Sequence, residues 1–426
     1  MWEILTWKVE LLGAFTKNDD QFSCSTCVPA QFTEVSAITT CTSFILIDGV
    51  PLRAPQSQTP SSRGMAIFSR REDLRSRPSF YPLCFLIIVT LALSIGLLVG
   101  YKKPKSGSVA PVIETKSLSH RTLFVVNGGG SLSVIDVTTD TVNKTVVLKD
   151  YKYPRHISLS PDKRKIVVGV PGIDLSVVRC PRMLVNAGKF IVLDSTTCEI
   201  LKTTEVPNMN RNAVFSPDGS EIWTGQTTTN GTVLVYDSVT YELRHNISVG
   251  LMPGSVSFSN DGKKAFVCTG VMNGTVVMIN TTSKSIVQIY QVGNNPVGAW
   301  PGADNNMYVG NQRSAYISVI DPSNGGNTGT IHLDFTPGMI AYNSVDDNIW
   351  ITDGEGGEVN VFDSTGSPLE CIHTGAGSYG ILFINDYSKV YITNEKARTV
   401  SVIDTASMKK IKDIKVGLKP NGMALM

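Results

Sequence analysis

Two adjacent pairs in this 426-residue sequence join a guanidinium to a second hydrogen-bonding side chain: Arg155-His156 and Arg211-Asn212. A guanidinium presents a fork of donors to an oxyanion, and imidazole exchanges a proton near neutral pH. These groups could bind an acidic ligand or assist hydrolysis. Other arrangements carry less chemistry. Cys24-Ser-Thr-Cys27 has redox or zinc-knuckle spacing, but no second such pair and no histidine pair accompanies it. Asp353, Glu355 and Glu358 in DGEGGE offer oxygen ligands to Ca²⁺, without the spacing of an EF-hand loop. No nucleophile elbow, HExxH, P-loop or dinucleotide fingerprint occurs, and no CxxCH for covalent haem. The expectation is a chain with no cofactor and no metal, more a binder than an enzyme.

The elements that must position these residues are repeats. An alternating run closes on an acid or amide seven times: SLSVID to Asp136, KFIVLD to Asp194, TVLVYD to Asp237, TVVMIN to Asn280, YISVID to Asp321, EVNVFD to Asp363 and TVSVID to Asp404. The copies lie 41–43 residues apart, except for 58 between the first two. Thr or Ser follows each within two residues, so the carboxylates read as turn acceptors, not a metal ladder. Before each run come a short strand, a turn such as SPDG, and another strand; after it comes a fourth. Four strands per repeat, seven times over, predict an all-β fold: a seven-bladed β-propeller over residues 121–426. The repeat begins at its second strand, at Arg121, and ends at Met426 on a first strand. The C-terminal strand is therefore expected to complete the first blade and close the ring.

Tyr391-Ile-Thr-Asn394, followed by TVSVID, resembles the YVTN repeat of YncE-like β-propellers, with Phe124-Val-Val-Asn127 and Tyr308-Val-Gly-Asn311 as variants. The resemblance spans about residues 121–426. It implies a secreted or surface propeller and names no activity.

Naming the strands A to D from the axis outward puts the SPDG turns between A and B. The variable B–C loops lie on the opposite face, at 127–131, 226–232, 270–275, 311–315, 353–358 and 394–399. An insertion at about 171–188 in the second blade belongs with them, as a lid or partner contact. Most inner strands start on small residues: Gly254, Gly298, Gly338, Gly380 and Gly422. Arg155, His156, Arg211 and Asn212 interrupt that pattern, and Tyr379 and Asn421 complete part of the ring. The expected pocket lining is Arg155, His156, Arg211, Asn212, Gln226, Asn311, Asp353, Tyr379 and Asn394; the competing reading is that they fill the channel and bond to loops. Three functions follow: a propeller that binds a protein, glycan or small ligand on the B–C face; a lactonase-like hydrolase acting through His156 and Arg211; or a cofactor-binding channel.

Residues 80–100, FYPLCFLIIVTLALSIGLLVG, form the one long apolar run, without charge and flanked by Tyr81 and Tyr101. At about 1.5 Å per residue such a helix spans a hydrocarbon core of about 30 Å. An uncleaved signal anchor is favoured over a cleaved signal peptide. Residues 101–120 read as a linker, and 1–79 as a poorly structured segment in which Met65 is a possible true start. Sequons at Asn143, Asn230, Asn246, Asn273 and Asn280 fit an extracytoplasmic domain bearing glycans. The pairing Cys180–Cys198 is a further expectation for an oxidising compartment. Charged residues are 17% of the chain, below the usual roughly 25%. The net charge of +2 gives no bulk attraction to nucleic acid. A monomer is expected.

Overall fold

The computed structural model describes residues 121–175 and 187–426. Cys24, Cys27, Cys180, Met65, the linker and the apolar run 80–100 lie outside the described residues, as does most of the second-blade insertion. Among the described residues, no helix is long and apolar enough to cross a membrane.

Among the described residues, twenty-eight strands form seven four-stranded antiparallel sheets, one per repeat. The first sheet runs β28-β1-β2-β3, where β1 is Thr122–Asn127, β2 Ser131–Asp136, β3 Thr141–Val147 and β28 Pro420–Leu425. The far end of the chain therefore supplies the innermost strand of the first blade. Leu123 pairs Leu425, Phe124 pairs Ala424, and Met426 N–H donates to Thr122 O at 2.9 Å.

The apolar runs are continuous because each middle strand is buried on both faces. In β1, Phe124 and Val126 pack with Ile166, Val168 and Ile191 of the second blade. Leu123 and Val125 point the other way, to Tyr391, Val400 and Val402 of the seventh. Outer strands are wet and alternate instead, as in β27, Lys409–Lys415, where Ile414 alone is buried. The core thus lies between blades, and each blade is stable only with its neighbours.

The register-ending acids behave as turn acceptors. Asp237 Oδ1 accepts the N–H groups of Val239 and Thr240 at 2.8 Å each, which hold its carboxyl down to about 2. Asp194, Asn280 and Asp404 accept in the same way. The fourth residue onward takes a left-handed backbone at Asp140, Cys198, Tyr241 and Lys284. These turn tips lock onto the second strand of the preceding blade. Lys389 Nζ meets Asp140 at 2.6 Å and Tyr391 hydroxyl donates to the same carboxylate, joining blade seven to blade one. Lys284 pairs Glu221 at 2.6 Å, and Lys165 Nζ donates to Ser238 O at 3.0 Å. Cys198 occupies the equivalent tip as a buried free thiol in the core between blades one and two. It sits beyond the Asp194 end of β6, Gly188–Asp194, whereas the insertion leads into the Gly188 end. Cys198 fills an apolar inter-blade site, and burial raises its thiol; the expected pairing partner, Cys180, lies outside the described residues.

Candidate functional site

The polar residues expected to share one pocket fall into two layers. One layer ends the second strands: Gln226 of β9 (Glu221–Gln226), Asn311 of β17 (Met307–Asn311), Asp353 of β21 (Asn348–Asp353) and Asn394 of β25 (Lys389–Asn394). All four are buried, and Asn311 and Asn394 are wholly inaccessible. Their polar atoms face their own blade. Asn394 Nδ2 donates to Thr399 Oγ1 at 3.0 Å and Ser401 Oγ at 2.9 Å. Asn311 Nδ2 donates to Tyr316 O at 3.1 Å and Ser318 Oγ at 3.0 Å, and Asn127 bonds Ser131 and Ser133 likewise. Gln226 Oε1 accepts Asn208 N–H and Asp353 Oδ1 accepts Glu355 N–H, both at 2.9 Å. Asn127, Asn311, Asp353 and Asn394 clamp the mouths of their own B–C hairpins, whereas Gln226 holds the loop ahead of its inner strand. The glycine after the outer strand closes over the amide: a Cβ at Gly293 would come within 2.7 Å of Asn311, and one at Gly417 within 2.7 Å of Asn127.

The second layer is the channel mouth. The inner strands β16 (Pro296–Pro301), β20 (Pro337–Asn343), β24 (Ser378–Phe383) and β28 all open with a β-bulge, in which two residues oppose one. The bulge residues are Val297-Gly298, Gly338-Met339, Tyr379-Gly380 and Asn421-Gly422. Bulges re-aim side chains. Threonines of the second strands hold them: Thr393 Oγ1 accepts Gly380 N–H at 2.7 Å and donates to Asn421 O at 2.9 Å, and Thr352 does the same for Met339 N–H and Tyr379 O.

The strand registers put Tyr379, Asn421, Arg155 and Arg211 at one level in consecutive blades seven, one, two and three, with Gly254, Val297 and Gly338 completing the ring. The mouth is thus a polar crescent facing a bland arc. Gly422 N–H donates to Arg155 O at 2.9 Å. A Cβ at Gly422 would approach His156 Cα to 3.1 Å, so only glycine lets these inner strands meet. The Arg155 guanidinium stacks 4.7 Å over the Tyr379 ring.

Four expected site residues are therefore brought together here: Arg155, His156, Arg211 and Tyr379, all half-buried. Asn212 is not free to join them. It is 1% exposed and bridges to the fourth blade, with Nδ2 donating to Val256 O at 2.8 Å and Oδ1 accepting Val256 N–H at 3.0 Å. Burial, then the Arg155 charge, pushes His156 down to about 4, so it is neutral at pH 7. Burial also lowers Arg211, and Arg155 beside it acts in the same direction. Arg155 is raised: burial opposes its charge, but Tyr379, Glu395 and Asp174 outweigh it. Arg211 Nε, His156 Nδ1 and Asn421 Nδ2 are buried without a hydrogen-bond partner.

Sequence reasoning missed the approach to this mouth. Lys419 pairs with Asp174 at the stem of the second-blade insertion. With Tyr153, Arg155, Glu395 and Asn421 they line an open cleft with about 10 Å³ of free space, room for about one water. That is below the roughly 300–1,000 Å³ of sites that enclose small molecules. The signal available was the charge of these loops, but which loops converge depends on the bulges. Among the described residues no group of three His, Cys, Asp or Glu side chains is arranged to hold a metal ion, the DGEGGE loop included.

No family model matches the chain, and no curated protein matches it in sequence. Solved structures share its fold. A periplasmic gluconolactonase of Pseudomonas aeruginosa is 15% identical, with a TM-score of 0.57, covering 72% of this chain and 98% of that one. A hydrazine synthase of Kuenenia stuttgartiensis is 17% identical, with a TM-score of 0.57 over 72% and 99%. A putative 6-phosphogluconolactonase of Bacteroides fragilis is 14% identical, with a TM-score of 0.57 over 75% and 100%. Such different proteins on one scaffold establish its architecture alone: residues 121–426 are a seven-bladed β-propeller with four-stranded blades.

Proposed function

We propose that the chain is a membrane-anchored, extracytoplasmic binding propeller of the YVTN type, which engages a protein, glycan or small ligand at the channel mouth. The observation that carries this reading is the crescent. Tyr379, Asn421, Arg155 and Arg211 stand at one level in four consecutive blades, opposite Gly254, Val297 and Gly338. Three features support the setting. The apolar run 80–100 suits a signal anchor. β1 starts at Thr122, at the turn-bearing end of its blade and not at the B–C loop end. The sequon residues Asn143, Asn230, Asn246 and Asn273 are exposed, whereas Asn280 Oδ1 accepts two turn N–H groups.

Two neighbours in fold are named as lactonases, which favours hydrolysis as the second reading. His156 is the base it would require. A base held at about 4 is a weak one at pH 7, and no carboxylate orients the ring. The test is to purify the full chain in detergent, screen it against glycans and soluble proteins, and assay lactone hydrolysis. Binding lost in the Arg155→Ala/Arg211→Ala variant, with no turnover, is the expected result. Turnover abolished by His156→Ala would replace binding with hydrolysis.

A further inference from the structure

We infer that the rim at blades six and seven is an interface with a second copy of this chain, arranged about a two-fold axis. It uses none of the channel-mouth residues, and it departs from the monomer expected of the sequence.

The first observation is charge. Between Arg313 and Lys389 the sequence holds ten Asp or Glu residues and no Lys or Arg. That stretch runs from the third strand of blade five through all of blade six. From Lys389 to Lys419, across the outer three strands of blade seven, eight Lys or Arg face only three acids. An acidic sector therefore adjoins a basic one, which the net charge of +2 conceals. Opposite sectors steer two molecules toward one mutual orientation.

The second observation is the pair of outer strands at that boundary. They are β23 (Pro368–His373) and β27, and Lys410 Nζ donates to Thr374 O at 2.7 Å between them. Each is paired on its inner side only. The register skips one residue in each: Leu369, between Pro368 and Glu370, and Ile411, between Lys410 and Lys412. These are equivalent positions, at the same height on consecutive blades. Both are large apolar side chains left in water, 48% and 55% exposed. The next residue in each is exposed and charged, Glu370 on blade six and Lys412 on blade seven.

Such a patch is its own complement. A two-fold axis parallel to the propeller axis, just outside the rim between the two blades, sets Leu369 against the partner's Ile411. The same axis sets Glu370 against the partner's Lys412, and it repeats both contacts. An apolar centre ringed by opposite charges is the usual anatomy of an interface. Lysines on β27 and Pro368 on β23 guard those edges against strand addition, so the contact is made by side chains and no ladder is extended. The axis also keeps the copies the same way up. Both β1 starts then lie on one side and both channel mouths on the other, as for two chains anchored in one membrane.

The experiment is sedimentation equilibrium of the full chain in detergent, at low and at high NaCl. A dimer is expected at low salt, weakening as NaCl rises. Glu370→Lys and Lys412→Glu should each weaken association roughly tenfold or more. Combining them should restore it, because the pair re-forms with its signs exchanged. Lys412 also donates to Asp140 O at 2.8 Å, so a third variant, Leu369→Ser, guards against a loosened blade seam. It should weaken association with the melting temperature unchanged. A monomer at every concentration in low salt overturns the inference. So does a dimer that no single variant weakens, which puts the contact elsewhere, the apolar run 80–100 included. Failure of the double variant to restore association rules out this two-fold arrangement.

Discussion

Tyr391, Thr393 and Asn394 show how a four-letter motif can be structural at every polar position. The tyrosine hydroxyl reaches Asp140 in the next blade, the threonine holds the inner-strand bulge, and the asparagine clamps its own hairpin. Replacing Asn394 with Ala strands Thr399 and Ser401 in a buried setting. It should cost about 2 kcal/mol, read as a lower denaturation midpoint, with ligand binding unchanged. His156 makes the opposite kind of prediction. Its folded value, about 4, lies below its ordinary 6.5, so the unfolded chain binds the proton more readily. Its contribution is complete above about 6.5 and is lost as pH falls toward 4, on the order of 3 kcal/mol at most. His156→Gln should flatten the stability profile across that window, and an NMR titration of the imidazole should show the depressed midpoint. The types of Arg155, His156, Arg211 and Tyr379 were legible as polar interruptions of a small-residue pattern. The roles of Asn311 and Asn394 were not, because a polar residue at a loop edge reads the same whether it faces solvent or folds back on its hairpin.

Between elements, the tips of the outer turns carry the ring's polar cement. Asp140 is the most engaged of these tips, taking Lys389, Tyr391 and, through its carbonyl, Lys412. Asp140→Ala should lower stability by about 2 kcal/mol, and the loss should appear first as faster amide exchange at the blade one–blade seven seam. Pairing Asp140→Ala with Tyr391→Phe should be less than additive, since both remove the same contact. The sequence displayed the turn acids plainly, through their recurrence and the Thr or Ser that follows. It concealed the locks, which join side chains 63 to 251 positions apart. It also concealed the bulges, since one extra residue in a six- or seven-residue strand leaves the alternation almost intact. That is why Val297 and Tyr379, and not Gly298 and Gly380, stand level with Arg155.

For the molecule as a whole, blade number and closure were readable because the repeat is regular and its first and last copies are complementary fragments. Removing residues 420–426 strips the inner strand from blade one and exposes Leu123 and Phe124 on a free edge. No cooperative melting transition should remain; an unchanged transition would disprove closure by β28. Glycosidase digestion of protein made in a glycosylating host should release chains from at most Asn143, Asn230, Asn246 and Asn273, with Asn280 unmodified in its turn. What the sequence could not supply was the asymmetry of the mouth, which arises from aligning seven bulged strands in space.

The same split blade has a mechanical meaning. β1 lies between β28 and β2, hydrogen-bonded on both sides, and enters at Thr122. Tension transmitted along the chain ahead of Arg121 pulls β1 lengthwise. Both ladders then resist in shear, many bonds sharing the load, where a strand peeled from an edge would yield one bond at a time. Under the anchoring proposed above, the blade into which the anchored chain runs is the one built to withstand the pull.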